Sequence, residues 1–210
     1  MTMHKVDSQF ADPLPLDFYN RDSVTVAREL LGKVLVRLTP QGLCAGRIVE
    51  TEAYLAKNDA ASHAYRGRTN RNAAIFGPPG RAYVFSIHQV FCVNAVTEPA
   101  GTTSAVLIRA IEPLAGIELM AKRRGHVRSY DLTRGPGKLC QATAIDLQLD
   151  GWDLTRGSRL WIADHPDARG VTISNSPRIG LGKAKDPLLR FFITGNQYVS
   201  KSRAGVAASE

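Results

Sequence analysis

The rhythm of apolar residues between positions 33 and 195 constrains the fold most, because short runs alternate with period two and are parted by turns. KVLVRL (33–38), GRIVETEAYL (46–55), SAVLIRAIEP (104–113), RLWIAD (159–164) and LLRFFITG (188–195) read as strands. RAYVFSIHQVFCVNAVT (81–97) reads as strand, tight turn, strand, and the turn-rich RNAAIFGPPG (71–80) precedes it. Helices are predicted over 24–32, capped by Asp22 or Ser23 and closed by Gly32, near 114–125, and over 137–146. No strand is regularly followed by a crossover helix, which argues against a parallel doubly wound sheet. The pattern predicts a single compact α+β domain with a curved, mainly antiparallel sheet and flanking helices. Residues 1–16, with Pro13 and Pro15, read as a loosely held arm, 17–200 as the domain and 201–210 as a frayed tail.

Apolar residues make up 44% and charged residues 22% of the 210, a globular composition that excludes a disordered tail protein, a coiled coil or a collagen. The 27 Lys and Arg outnumber the 19 Asp and Glu, giving a net charge of +8. Such a surface attracts polyanions, nucleic acid first. No apolar run is long enough to span a membrane and the start lacks a signal-peptide core, so a soluble cytoplasmic protein is expected. Cys44, Cys92 and Cys140 are odd in number and far apart within apolar strings, which fits neither a disulfide framework nor a zinc site, and no metal is expected.

The alternation in IVETEAY puts Ile48, Glu50, Glu52 and Tyr54 on one face of a strand. Two readings are open. Either this is an exposed polar face with Val49, Thr51 and Ala53 turned inward, or it is a carboxylate pair of the kind that activates water against an oxocarbenium-like centre. Arg109 interrupts a buried-looking strand and demands a carboxylate or a polar ligand, for which Glu50 and Glu52 are the candidates, as a structural pair or as part of a site. Asn94 is a polar group in apolar FCVNAV and must find hydrogen-bond partners. His63 lies in a polar loop with Arg66, Arg68 and Arg71; it is either a surface residue or a ligand or catalyst, and the arginines are either solvated charges or phosphate contacts. Tyr83, Phe85 and Ile87 share a strand face that is either core or a stacking platform. Between 122 and 138 the basic residues Lys122, Arg123, Arg124, Arg128, Arg134 and Lys138 face Asp131 alone, a net of +5. The run ends in a Gly-rich turn entering a helix, whose spacing is wrong for a P-loop but suits a phosphodiester backbone.

GRIVETEAY, RAYVF, FCVN, VLIRAIEPLAG, RGPGKLCQA, RIGLG and LLRFFITGN, in this order from residue 46 to 196, together resemble the alkyladenine DNA glycosylase family, the DNA-3-methyladenine glycosylases of the non-helical-hairpin type. The resemblance implies a protruding β-hairpin inserted into the DNA minor groove and hydrolytic removal of alkylated or deaminated purines without a cofactor, leaving an abasic site. It implies that Glu52 is the general base for water, that Arg109 lies beside that water, and that the backbone carbonyl of Leu181 completes its coordination. Tyr54 and His63 match residues that stack on and hydrogen-bond to the flipped base, and Asn94 matches one that helps reject guanine. The hairpin is one residue shorter than the family pattern and has Phe85 where a tyrosine is usual. His88 is placed at the intercalating position, with Ile87 and Gln89 as alternatives, and Arg134 and Lys138 on the DNA backbone. The expected partner is double-stranded DNA carrying a damaged purine, met by a monomer. A DNA-binding module of the same fold without catalysis and a hydrolase of free nucleosides are the rival readings.

Overall fold

The strand that carries the two glutamates also organises the sheet. The computed structural model describes residues 10–87, 89–125, 127–165, 170–181 and 187–201. Its strands are β1 (Val34–Thr39), β2 (Gly42–Tyr54), β3 (Ala82–Ile87), β4 (Val90–Thr97), β5 (Ser104–Ala115), β6 (Leu160–Ala163), β7 (Ile173–Ser176) and β8 (Arg190–Ile193). They run in the order β3-β4-β5-β2-β1-β6, with β8 on β2 and β7 on β8, and every pairing is antiparallel. One edge of β2 pairs with β5 from Ala45 to Tyr54, while the other is divided, residues 42–47 lying on β1 and Glu50–Glu52 on β8. A strand that changes partner along its length bends the ladder, and the sheet curls into a half-barrel.

Two of the three register shifts in the β2–β5 ladder set which residues face the inside of the curl. Ile48 opposes Ile111 and Glu50 opposes Ala110, leaving Val49 unmatched; the next pair is Thr51 with Ile108, leaving Arg109 unmatched. A bulge shifts the alternation by one residue and re-aims the side chains beyond it. Strict period two groups Ile48 with Glu50, Glu52 and Tyr54, but the Val49 bulge sends Ile48 into the main core with Ala53. The exposed-face reading of the glutamates is also overturned, since both are fully buried.

The main core lies between this sheet and the helices packed on it. In α1 (Leu16–Tyr19) Tyr19 is buried, and in α2 (Ser23–Glu29) Val26 and Ala27 pack with Ile48, Ile108 and Ile111. The Asp22 side chain accepts the Thr25 N–H and caps α2, and the Thr51 hydroxyl donates to the Ala27 carbonyl at 2.8 Å. After α3 (Ile117–Arg124), α4 (Pro136–Thr143) adds Leu139, Cys140 and Ala142 to the same core. Fully burying one such Leu or Ile contributes about 1.5–3 kcal/mol. In the first turn of α4, a Cβ on Gly137 would lie 1.9 Å from Val90 Cγ1, so only glycine lets the end of the β3–β4 hairpin rest on this helix.

Ile87 pairs with Val90, so the hairpin connection is positions 88 and 89, and Gln89 takes a left-handed φ of 66°. Both flanking residues point out at the end of the hairpin, Ile87 47% and Val90 45% exposed. β7 was not expected, because ISNS lacks an apolar alternation. The described part of the expected arm is held in place: Phe10 and Leu14 are buried, Leu14 N–H donates to Ile162 at 2.8 Å, and Trp161 Nε1 donates to the Phe10 carbonyl at 2.7 Å. Among the described residues no helix is long and apolar enough to cross a membrane.

Candidate active site

On the face of the sheet away from α2, a cavity of about 330 Å³ opens between the hairpin, β5 and residues 179–181. Tyr54, His63, Tyr83, Phe85, Asn94 and Arg109 line it, with Leu181 at its rim segment. Asn72 secures the loop that carries His63, donating from Nδ2 to the carbonyls of His63 (2.9 Å) and Gly67 (3.0 Å) and sharing a reciprocal cap with Thr69. His63 Nδ1 lies 2.8 Å from the Tyr83 hydroxyl, and its ring stands edge-on to Phe85 with centroids 4.3 Å apart. Burial, reinforced by Arg71, lowers the His63 pKa, and burial pushes the Tyr83 phenol up to about 12. A neutral imidazole offers one donor and one acceptor. Asn94 is buried and donates to the Tyr83 carbonyl at 3.0 Å.

Beneath the cavity lies Glu52. Its Oε1 accepts the Ile179 N–H at 2.7 Å, and its Oε2 meets the Tyr54 hydroxyl and Arg109 Nη1, each at 3.1 Å. Glu50, two residues earlier, takes Arg109 Nε at 2.8 Å and Arg190 Nε at 2.7 Å on Oε1, and the Ser200 N–H (2.7 Å) and hydroxyl (2.5 Å) on Oε2. The two carboxyls are driven apart. Burial raises both, but Arg109, Arg190 and Ser200 together outweigh it at Glu50 and hold that pKa below the usual range. At Glu52 burial outweighs Arg109, the Ile179 N–H and Tyr54, and the pKa rises. Paired carboxyls with opposed shifts are the arrangement that separates a permanent anion from a group able to exchange a proton. Burial and the neighbouring Glu52 raise Tyr54, and Arg109 stays charged because its two glutamates outweigh its burial.

Residues 17–197 match the family model of methylpurine-DNA glycosylase. The chain belongs to this family. A relative from Carboxydothermus hydrogenoformans is 47% identical over 189 residues, 90% of this chain and 98% of its own. Another, from Methanoculleus marisnigri, is 47% identical over 192 residues, with 90% and 98% covered. A third, from Methanocella arvoryzae, is 45% identical over 197 residues, with 91% and 98% covered. All three carry the provisional name 3-methyladenine DNA glycosylase.

In this member of the family Tyr54, His63, Phe85, Asn94, Arg109 and Leu181 line one cavity, and Glu52 lies beneath it, bonded to Tyr54, Arg109 and Ile179 of that lining. His88 lies outside the described residues. Arg134 and Lys138 sit apart, in a groove lined also by Arg128, Tyr130 and Lys201, at the start of α4, whose Pro136 lines the cavity. Both are partly engaged: Lys138 Nζ bonds Asp131 at 2.6 Å, and Arg134 Nε donates to the Val199 carbonyl at 2.8 Å. Sequence reasoning missed the groups that hold the site. Arg178 grips Asp59 at 2.7 and 2.8 Å, donates to the Ala53 carbonyl at 3.0 Å and stacks 4.5 Å over Tyr54, anchoring the segment that brings Ile179 to Glu52. The signal was there in RIGLG, where the arginine is the first letter, but its partner Asp59 is 119 positions away. Among the described residues no group of three or more His, Cys, Asp or Glu could hold a metal ion.

Proposed function

We propose that the chain hydrolyses the N-glycosidic bond of alkylated or deaminated purines in double-stranded DNA, of the 3-methyladenine, ethenoadenine and hypoxanthine class, and leaves an abasic site. The observation that carries this reading is Glu52: a buried carboxyl of raised pKa beside a fixed guanidinium, bonded to three residues that line an aromatic cavity. The target nucleotide must leave the duplex to reach it, at a cost of a few kcal/mol that a side chain at the hairpin end offsets by filling the gap. Position 88 is the choice for that role, flanked by exposed Ile87 and Val90. In the cavity Tyr54 and Phe85 stack on the base, His63 hydrogen-bonds to it, and Asn94 crowds out a guanine amino group. An alkylated purine is cationic, so stacking gains about 1–2 kcal/mol per desolvated face.

Glu52 takes a proton from a water placed by Arg109 and the Leu181 carbonyl. The water oxygen bonds to C1′ as the C1′–N bond breaks, and the electron pair of that bond leaves with the base. A cationic base departs neutral, whereas hypoxanthine needs a proton, for which His63 or a water is the source. No lysine lines the cavity among the described residues, and the proposed enzyme is a monomeric, monofunctional glycosylase without strand cleavage, working inside the cell where its DNA substrate lies. Arg134 and Lys138 hold the backbone through the groove beside α4.

The test is single-turnover incubation with duplexes containing hypoxanthine, ethenoadenine or 3-methyladenine, followed by alkali. Strand breaks should arise only after alkali, and Glu52→Gln should lower their rate by about 10³-fold while lesion-duplex affinity stays within a few-fold. Binding without alkali-labile sites would instead identify a DNA-binding module without catalysis. Breaks before alkali would overturn the monofunctional assignment.

A further inference from the structure

We propose that Glu50 is a positioning residue for the excision reaction: clamped from behind by Arg190 and Ser200, it aims Arg109 at Glu52 and balances the charge that Glu52 experiences. The inference rests on Glu52 as the base. Glu50 is as buried as Glu52 but is set apart by its partners: it already accepts four hydrogen bonds, from Arg109, Arg190 and twice from Ser200, whereas the groups that bond Glu52, namely Tyr54, Arg109 and Ile179, all line the cavity. A guanidinium is a rigid plane, so holding one nitrogen fixes where the others point. Glu50 holds Nε of Arg109, and Nη1 then lies 3.1 Å from Glu52 while the side chain still faces the cavity. The bulge at Arg109 makes the geometry available, since that residue has no ladder partner to align it.

The clamp is itself braced. Arg190 donates from Nη1 to Ser176 Oγ at 2.9 Å and from Nη2 to the Ser200 carbonyl at 3.0 Å, so β7, β8 and the segment after β8 converge behind Glu50. Across the β2–β8 ladder Arg190 opposes Glu52 directly. The centre therefore contains two carboxylates and two guanidiniums, balanced in charge. Tyr54 of β2 bears on Glu52 as well, and Cys92 of β4 stays a neutral thiol, its pKa pushed up to about 11 by burial. The segment 178–181 contributes the Ile179 N–H and, behind Tyr54, the Arg178–Asp59 pair.

This balance makes two opposite predictions from residues outside the cavity lining. Glu50→Gln leaves an excess positive charge beside Glu52, and Arg190→Gln leaves an excess negative one. The measurement is single-turnover excision from a hypoxanthine duplex as a function of pH, with duplex affinity and circular dichroism for each variant. Glu50→Gln should slow excision about tenfold or more at the optimum. It should also move the acid midpoint down by about 1 unit, and Arg190→Gln should move it up by a similar amount. Slower excision with unmoved midpoints would overturn the proposal and leave Glu50 a structural ion-pair member. Should Glu50→Gln fail to fold, the upward shift in Arg190→Gln decides alone, and an unmoved midpoint there overturns it. Glu52→Gln, run alongside, separates the two roles: retained excision by that variant removes the base itself, whereas a dead Glu52→Gln with unmoved midpoints removes only the role of Glu50.

Discussion

The two faces of β2 are built from the same thirteen residues yet obey different rules. Toward α2, Ala53 belongs to an aliphatic core, and the directional bond from this side of the strand is the Thr51 hydroxyl to the Ala27 carbonyl. Toward the cavity, Glu50, Glu52 and Tyr54 are joined to arginines, a serine and a backbone N–H, each with a fixed donor and acceptor. Burial is nearly the same on both sides, but on the first it stabilises the fold and on the second it raises the energy of an ion that the protein must then partner. One face tolerates changes of shape that preserve volume; the other tolerates few changes of charge.

Adjacent residues of β5 offer the largest test of that contrast. Ile108 lies in the aliphatic core and Leu107 on the cavity wall. Ile108→Ala should cost about 2–5 kcal/mol in denaturant unfolding, near the top of that range because the site cannot collapse, with excision by the folded fraction unchanged. Leu107→Ala should fall at the lower end, because an open cavity already adjoins it, but should change the excision rate or its lesion preference. Equal costs with equal kinetics would erase the distinction between the faces.

The pH dependence of excision is a finer test within the cavity face. In the proposed reaction Glu52 must be ionised to accept a proton, so excision should fall as pH drops through its pKa, which lies above the ordinary glutamate value of about 4.3 because burial outweighs its partners. Glu50 has the opposite shift. Its contribution to stability is complete above the unfolded glutamate pKa and is lost only as pH falls through its lower folded value. Activity should therefore be lost on acidification before the fold is, and should return fully on neutralisation. Coincident loss of circular dichroism and activity would contradict the separation.

The smallest effect belongs to Ile87 at the end of the hairpin, where exposure removes most claim on stability. Ile87→Ser should leave unfolding within about 0.5 kcal/mol of the parent. Lesion-duplex affinity should weaken several-fold, with excision from saturated complexes little changed.

Much of this was legible in the sequence. Period-two alternation located β1 to β6 and β8 within a few residues, and the capping of α2 by Asp22 was readable from local chemistry. Six of the seven quoted motifs supply residues that line one cavity, and the seventh, LLRFFITGN, supplies Arg190 behind it. The two bulges were not legible, because an unmatched residue in one strand is defined by its partner strand, and Val49 carries no local mark of it. The brace behind Glu50 was hidden for the same reason: Arg190 and Ser200 lie 140 and 150 positions away from it. The charge count at 122–138 located a basic run and its one acid, Asp131, but not that Asp131 bonds Lys138 or that the Val199 carbonyl takes Arg134 Nε, because those partners are set by the fold.

Gly137 has a mechanical consequence. With no side chain there, Val90 seats directly on the first turn of α4, so a load applied to the end of the hairpin passes into a helix whose other face is buried in the core. A free two-stranded arm would bend at its root under such a load. This one is propped near its tip, and whatever presses against it meets a strut instead of a spring.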